Sequence, residues 1–122
     1  MESFEAHWGV PGGILQTIIG SQLRDRDFPC APRIRHELHL DGKGRVILYE
    51  IEPRNETMPI VLLAHGMGGC SESGYMKRIS TKLWMQGYGV FLINHLGCGP
   101  GMGLSKRLWN GGSSDDLEQM IA

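Results

Sequence analysis

The residues with the clearest potential for chemistry form a glycine-rich run in the middle of the chain. In order they are His65, Gly66, Met67, Gly68 and Gly69. Glycines allow a sharp turn whose backbone N–H groups can hold an anion, either a phosphate or the oxyanion of a tetrahedral intermediate. A phosphate-binding loop would continue with Lys and then Ser or Thr, whereas Cys70, Ser71 and Glu72 follow here. The acidic Glu72 therefore favours an oxyanion over a phosphate as the anion that this loop would bind.

The segments on either side of this run predict how it is positioned. Ile60–Ala64 is a short continuous apolar run, typical of a strand buried on both faces. Residues 75–84 carry apolar side chains at helical spacing, Gly87 is placed to end that helix, and Gly89–Asn94 is a second apolar strand. This order predicts a right-handed βαβ crossover and therefore a parallel sheet covered by helices. The glycine-rich run then lies at the carboxyl end of a strand, where open α/β sheets bind ligands.

The chain before this crossover is predicted to hold a lead-in and a hairpin. Residues 1–32 form the lead-in, with a short amphipathic helix at Ile14–Leu23 that packs on a core. Two β-rich runs, Ile34–Leu40 and Arg45–Ile51, flank a glycine-containing turn and predict an antiparallel hairpin. Residues 33–122 are therefore expected to form the α/β domain.

The chain after the crossover is predicted to hold a long loop and a helix. Residues 95–112 are glycine-rich and too many for a simple connector unless they shape a site. A helix is expected to begin at Ser113 or Ser114, with acidic residues in its first turn. Its apolar positions have only begun to repeat at Ala122, so we expect the domain to continue past this residue.

Composition disfavours several classes of function. The 122 residues carry 12 Lys and Arg against 13 Asp and Glu, a net charge of −1. Without a cluster of basic residues, the chain has no positive electrostatic potential that would bind nucleic acid or an anionic membrane. Three widely spaced cysteines, Cys30, Cys70 and Cys98, do not resemble a disulfide framework and favour a reducing, cytoplasmic compartment. The acidic start does not resemble a signal peptide, and the longest apolar run is too short to cross a bilayer.

The strand and its glycine-rich loop resemble a known pair of elements. Pro59–Gly69 is similar to the third strand and the HGxxG oxyanion loop of α/β-hydrolases. Further segments follow in the order of the YheT-like branch of that superfamily, whose members show HG-x-x-G-S-x-x-S-x-Y, then N-x-R-G-C-x-G, then G-x-x-x-D. The similar segments here are residues 70–75, 94–99 and 110–116, with Leu15-Gln16-Thr17 near the start. The resemblance covers about residues 14–121.

This resemblance implies an eight-stranded, mostly parallel sheet and a Ser/Asp/His triad that hydrolyses carboxylic esters, often acylglycerols or other acyl lipids. It implies that the Met67 N–H is one oxyanion donor and that the His65 ring supports the loop by hydrogen bonds to the backbone. The nucleophile elbow G-x-S-x-G would follow the helix near Ser113, and no such pentapeptide is present. We therefore expect the N-terminal portion of such a fold, truncated before the elbow. It would have none of the triad residues, no cofactor and no activity alone, and the substrate of the whole protein would be a small acyl ester or lipid.

Two positions depart from the family pattern. Leu96 stands where the family has Arg before Gly-Cys, so a charge that would anchor that loop is missing. Gly13 and Ile14 precede Leu15, where the family has His before Leu-Gln-Thr.

Two alternatives remain open. His65, Cys70, His95 and Cys98 follow strands that are expected to be close in the sheet, and two His with two Cys suit tetrahedral zinc, although neither pair has C-x-x-C spacing. The chain is alternatively a catalytically inactive protein that binds an acyl ligand or a partner. In that case Ile60–Ala64 would be an exposed apolar edge, and we expect self-association through it.

Overall fold

The secondary structure follows the order expected from the sequence. The computed structural model describes residues 8–10, 12–22 and 31–121. Its elements are α1 (Gly13–Gln22), β1 (Ile34–Leu40), β2 (Gly44–Ile51), β3 (Ile60–Ala64), α2 (Gly74–Met85), β4 (Gly89–Ile93) and α3 (Ser114–Ile121). A short 3₁₀ helix, Gly99–Gly101, lies between β4 and α3. Leu23, predicted to end the first helix, and Cys30 lie outside the described residues.

The four described strands form one mixed sheet in the order β1-β2-β4-β3. β1 and β2 pair antiparallel from Ile34 opposite Glu50 to Leu40 opposite Gly44, which confirms the predicted hairpin. β3 and β4 pair parallel and in register, with α2 between them in the chain. The predicted βα crossover with parallel strands is therefore confirmed. β2 pairs antiparallel with β4 and joins the two units into a mixed α/β arrangement.

Two apolar clusters hold this arrangement together. The first lies between α2 and the centre of the sheet, and its buried members are Ala31, Ile51, Met76, Val90 and Leu92. The second lies near the hairpin turn, where Leu40, Val46 and Leu96 are buried and Met120 of α3 packs against them. Burial of such side chains contributes roughly 1.5–3 kcal/mol each to stability.

The prediction that Ile60–Ala64 is buried on both faces is wrong. The strand lies at the edge of the sheet, and the exposed fractions of Ile60 and Leu62 are 56% and 44%. Exposure alternates along β3, so that Val61 and Leu63 are partly buried while their neighbours are exposed. The continuous apolar run therefore serves one buried face in the described chain, and the other face and the outer edge are left open.

The helix predicted at the N-terminus is present, but its apolar face is not buried in a core. Ile14 and Leu15 of α1 are 79% and 49% exposed. The segment that joins α1 to β1, residues 23–30, lies outside the described residues. The expected division at residue 32 between lead-in and domain stays a prediction.

The long loop after β4 packs back on the hairpin turn. The Arg45 N–H donates to the Leu104 carbonyl oxygen at 3.1 Å, and Gly44 forms a β-bridge with Ser105. Gly44 has a φ of +128°, and a Cβ there would lie 2.6 Å from the Ser105 Cβ. Only glycine fits this approach. The loop is followed by α3, which begins at Ser114 as predicted.

Candidate functional site

The glycine-rich loop lies at the end of the sheet beside the loop that follows β4. Ala64, the last residue of β3, is paired with Ile93, the last residue of β4. The next residues therefore include two neighbouring histidines, His65 and His95. Their ring centroids are 4.6 Å apart, and the rings meet edge to face at 73°.

Residues 66–69 form a tight turn. The Gly69 N–H donates to the Gly66 carbonyl oxygen at 3.0 Å, and the Gly66 N–H donates to the Tyr75 hydroxyl oxygen at 2.9 Å. Gly68, the third residue of the turn, has a φ of +74°. A type II turn needs positive φ at that position, and L side chains rarely adopt it. The turn itself thus explains the glycine at position 68.

The tip of the turn carries backbone donors without a partner. The N–H groups of Met67 and Gly68 make no hydrogen bond within the described part of the chain. Met67 is 88% exposed. By contrast, the Cys70 N–H that follows the turn donates to the Ser73 hydroxyl oxygen at 3.0 Å. An anion that approaches the tip would therefore meet donors that are not already occupied.

The His65 ring fixes the direction of one of these donors. Its Nδ1 lies 2.9 Å from the Gly66 carbonyl oxygen, and the ring is buried with 4% exposure. The Gly66 C=O and the Met67 N–H belong to the same peptide group, which is planar and trans. A fixed carbonyl therefore holds the Met67 N–H on the opposite side. These contacts are the ones that the predicted supporting role of His65 requires.

His95 contacts His65 through both its backbone and its ring. The His95 N–H donates to His65 Nε2 at 3.2 Å, and His95 Nε2 lies 3.2 Å from the His65 carbonyl oxygen. The ring stacks on Trp109 with a centroid distance of 4.8 Å. Burial, followed by the nearby His65 ring, lowers the pKa of His95 from its ordinary value, so that the neutral ring is favoured.

Asn94, which the sequence analysis includes only as the end of an apolar strand and the start of the similar segment 94–99, has a structural role that was not predicted. Its side chain is fully buried, and its Oδ1 accepts the Ser71 N–H at 2.8 Å. Its Nδ2 donates to the Ile47 carbonyl oxygen at 2.9 Å and to the Ser71 hydroxyl oxygen at 3.0 Å. One amide thus ties the end of β4, the centre of β2 and the loop after β3. The available signal was a polar amide directly after a buried apolar strand.

Asp116 is a second residue whose structural role, in a buried ion pair, the sequence analysis did not predict. The sequence predicts it as an acid in the first turn of a helix, and it does lie there. Its carboxylate is buried, however, and Oδ1 accepts a hydrogen bond from Lys43 Nζ at 2.6 Å. Oδ2 is buried without a hydrogen-bond partner among the described residues. The ion pair joins α3 to the hairpin turn.

Apolar packing holds the loop at Leu96, the position where the YheT-like pattern has Arg. Leu96 is buried against Leu40 and Val46. Its carbonyl oxygen accepts the Trp109 N–H at 3.1 Å, which closes the loop after β4 on itself.

Glu72, which favoured an oxyanion in the sequence analysis, is paired with two cations. It accepts hydrogen bonds from Arg33 at 2.8 Å and from Lys77 at 3.0 Å. Burial opposes ionisation of the carboxyl, but the hydrogen bonds from Arg33 and Lys77 outweigh it and lower the pKa of Glu72. Since its charge is compensated, Glu72 discriminates less between anions at the loop than the sequence suggests.

The four residues of the zinc alternative do not form one group. No set of three or more His, Cys, Asp or Glu in the described residues is arranged to hold a metal ion. Both ring nitrogens of His65 already lie within hydrogen-bond distance of backbone groups. Cys70 and Cys98 are free thiols that form no disulfide with each other. Burial, and then the neighbouring Cys70, raise the pKa of the Cys98 thiol, which disfavours the thiolate that metals and electrophiles need.

Residues 31–121 contain no catalytic pair of nucleophile and base. None of the hydrogen bonds of serine and cysteine side chains in this range has a histidine as its partner.

None of the helices in the described residues is long and apolar enough to span a bilayer. No family model matches the chain, and no solved structure matches it.

Proposed function

We propose that residues 65–69 form one half of the oxyanion hole of a serine-type carboxylic ester hydrolase with an α/β-hydrolase fold. The nucleophile and its partners would lie outside the 122 residues. The substrates would be acyl esters, acylglycerols or other acyl lipids, as the resemblance to the YheT-like branch implies. No cofactor takes part in this chemistry.

The observation that carries the proposal is the Met67 N–H, which lies on a fixed peptide group and has no partner in the part of the chain that the structure describes. Its direction is held by the His65 ring and by the Gly69 N–H, which both contact the Gly66 carbonyl oxygen. A donor that is oriented before the reaction stabilises a developing oxyanion without reorganisation. Removal of one such donor costs about 2.7–4 kcal/mol in transition-state stabilisation.

The position of the loop supports the same function. It follows the carboxyl end of β3, beside the end of the parallel strand β4. Ligands of open α/β sheets bind outside the carboxyl ends of their strands. In α/β-hydrolases, the second oxyanion donor is the N–H of the residue after the nucleophile.

The reaction would proceed through an acyl-enzyme. A serine oxygen attacks the ester carbonyl carbon, the carbonyl oxygen becomes the oxyanion, and the Met67 N–H donates to it. Collapse of the intermediate expels the alcohol, and water then releases the acid. His65 is not the base of this reaction, because its two ring nitrogens are engaged by Gly66 and His95.

The test is fluorophosphonate labelling of two polypeptides, the 122-residue chain and the longest polypeptide that its gene encodes. We expect one serine outside residues 1–122 to be labelled in the longer polypeptide. The 122-residue chain should remain unlabelled and should hydrolyse p-nitrophenyl esters no faster than a heat-denatured control. Labelling of a serine within residues 1–122, or none in the longer polypeptide, would contradict the proposal.

A second candidate function is supported by the open edge of β3. This strand has no charged residue and no proline, and Ile60 and Leu62 are exposed. Such an edge is a template for strand pairing with another chain. We propose, as the alternative, that the chain binds a partner or a second copy there without catalysis.

Sedimentation of the 122-residue chain tests this alternative. A lysine on the strand face, Leu62→Lys, should abolish concentration-dependent association. Ile34→Lys on β1, at the other edge of the sheet, is the matched control and should leave association intact. Equal association of all three proteins would exclude the edge of β3 as the contact.

A further inference from the structure

His65 and His95 form a reciprocal pair that the oxyanion chemistry does not by itself require. The His95 backbone N–H reaches the His65 ring, and the His95 ring reaches the His65 backbone carbonyl, each at 3.2 Å. Both side chains are buried, with exposures of 4% and 5%. Each histidine therefore restricts the other.

The hydrogen bonds fix the protonation of both rings. His65 Nε2 accepts a backbone N–H, so it carries no proton, and the ring proton lies on Nδ1, which donates to the Gly66 carbonyl oxygen. A carbonyl oxygen only accepts, so His95 Nε2 carries a proton and donates to the His65 carbonyl oxygen. The two neutral rings thus hold opposite tautomers.

This pair controls the peptide that carries the candidate oxyanion donor. His65 Nδ1–H holds the Gly66 carbonyl, and the Met67 N–H points away from that carbonyl in the same planar group. The other neutral tautomer of His65, with its proton on Nε2, would place two donors, that ring N–H and the His95 N–H, against each other. The ring would then have to move, and the Gly66 carbonyl would lose its partner.

We infer that His95 is a positioning residue: it keeps His65 in the neutral Nδ1–H tautomer that orients the Met67 N–H, and acid releases that orientation. The inference rests on the proposed function only in treating this N–H as the oxyanion donor.

The charges around His95 agree with a neutral ring at neutral pH. His65 faces it from the loop after β3, and Asp116 faces it from α3, with Lys43 of the hairpin turn paired to that carboxylate. Burial and the His65 ring lower the pKa of His95 by more than the contact with the His65 backbone and the Asp116 charge raise it. Its Nδ1 is buried without a partner in the described residues, as expected of an unprotonated nitrogen. Protonation of His95 would place a charged ring with an unpartnered Nδ1–H in this buried position, so the pair should be intact above the ordinary histidine pKa of about 6.5 and open as the pH falls below it.

The test uses NMR of the ¹⁵N-labelled 122-residue chain and needs no catalysis. Long-range ¹H–¹⁵N correlations should show a proton on His65 Nδ1 and on His95 Nε2 at neutral pH. The residual dipolar coupling of the Met67 N–H reports its orientation. It should change as the pH is lowered, in parallel with protonation of the His95 ring. A proton on His65 Nε2 at neutral pH would overturn the inference.

Two substitutions of His95 separate positioning from packing. His95→Phe keeps an aromatic ring for Trp109 but loses the Nε2 donor, whereas His95→Gln keeps a side-chain donor. We expect His95→Phe to change the Met67 N–H coupling, because the ring donor to the His65 carbonyl is lost, while the backbone N–H of residue 95 still keeps the His65 tautomer. His95→Gln should restore the wild-type coupling. An unchanged coupling in folded His95→Phe would refute a positioning role. Should that variant not fold, the wild-type pH series decides the inference alone. Failure of the proposed function would appear separately, as absence of fluorophosphonate labelling.

Discussion

The two loops that follow the parallel strands β3 and β4 have opposite construction. The loop after β3 leaves the Met67 and Gly68 N–H groups without partners among the described residues, at an exposed tip. The loop after β4 supplies buried side chains, Asn94 and His95, that contact the first loop. One loop offers backbone donors and the other holds them in place. Substitutions in the first loop should therefore act on chemistry, and substitutions in the second should act mainly on stability.

The largest expected effect tests whether the loop after β3 provides a backbone donor for catalysis. Met67→Pro removes the N–H at the tip, and we expect a 10²–10³-fold lower kcat, equivalent to about 2.7–4 kcal/mol, in the longest polypeptide that the gene encodes. Met67→Ala keeps the N–H and changes only an exposed side chain, so it should lose far less. Ester hydrolysis and a circular dichroism melt of each variant measure activity and folding. Wild-type turnover by a folded Met67→Pro variant would reduce the loop to a structural turn.

The next effect concerns the second loop. Asn94→Ala removes three hydrogen bonds of a buried amide and leaves the Ser71 N–H and the Ile47 carbonyl without that partner. We expect the free energy of unfolding to fall by about 2–3 kcal/mol. Asn110→Ala is the matched control, because its side-chain oxygen accepts one exposed hydrogen bond from Gly112 and its loss should cost about 0.5–1 kcal/mol. Urea unfolding of both variants measures the difference. Equal losses would mean that Asn94 does not hold the loops together.

The order and pairing of these elements could be predicted from local sequence. Alternating apolar residues around the turn at 41–44 predicted the hairpin, and the apolar runs on either side of a helix predicted β3, α2 and β4. Gly87, with a φ of +101°, ends α2 as predicted. These features depend on neighbours within a few residues, so their signal is local.

The exposure of the elements and the polar contacts of the site could not be predicted in the same way. The run at 60–64 looks like a strand buried on both faces, yet its burial depends on which strands flank it. Asp116 looks like an exposed helix-start acid, and only the fold brings Lys43, 73 positions away, within 2.6 Å. The sequence predicts that His65 supports its loop, but its pairing with His95 depends on the register of β3 with β4.

A smaller effect is the pH dependence of the stability that His95, in the loop after β4, contributes. Because the pKa of His95 is lowered by burial and by His65, the unfolded chain binds a proton at this group more readily than the folded chain. Its contribution to stability is complete above about pH 6.5, the ordinary histidine value, and is lost as the pH falls through and below it. Urea unfolding of wild type and His95→Gln at several pH values measures this contribution. The two proteins should differ less in acid than at neutral pH, and a constant difference would contradict the assignment.

The smallest effect is expected at the surface ion pairs of the first loop. Glu72→Gln removes contacts with Arg33 and Lys77, and 41% of the glutamate side chain is exposed. We expect a loss within about 1 kcal/mol, because exposed ion pairs are screened. Since the pKa of Glu72 is lowered despite burial, this contribution is present above about pH 4.3 and lost in stronger acid. Urea unfolding in low and high salt measures it, with the exposed Glu56→Gln as the control. A loss as large as that of Asn94→Ala would mean that surface charge, not the buried amide, holds the loop.

The most direct test of the central claim follows the Met67 N–H during inhibition. A fluorophosphonate bound to the nucleophile of the longest encoded polypeptide places a phosphonyl oxygen where the oxyanion would form. We predict a downfield shift of the Met67 amide proton on labelling, while the Ser71 amide, already bonded to Asn94, keeps its position. An unshifted Met67 amide in the labelled protein would contradict its assignment as an oxyanion donor.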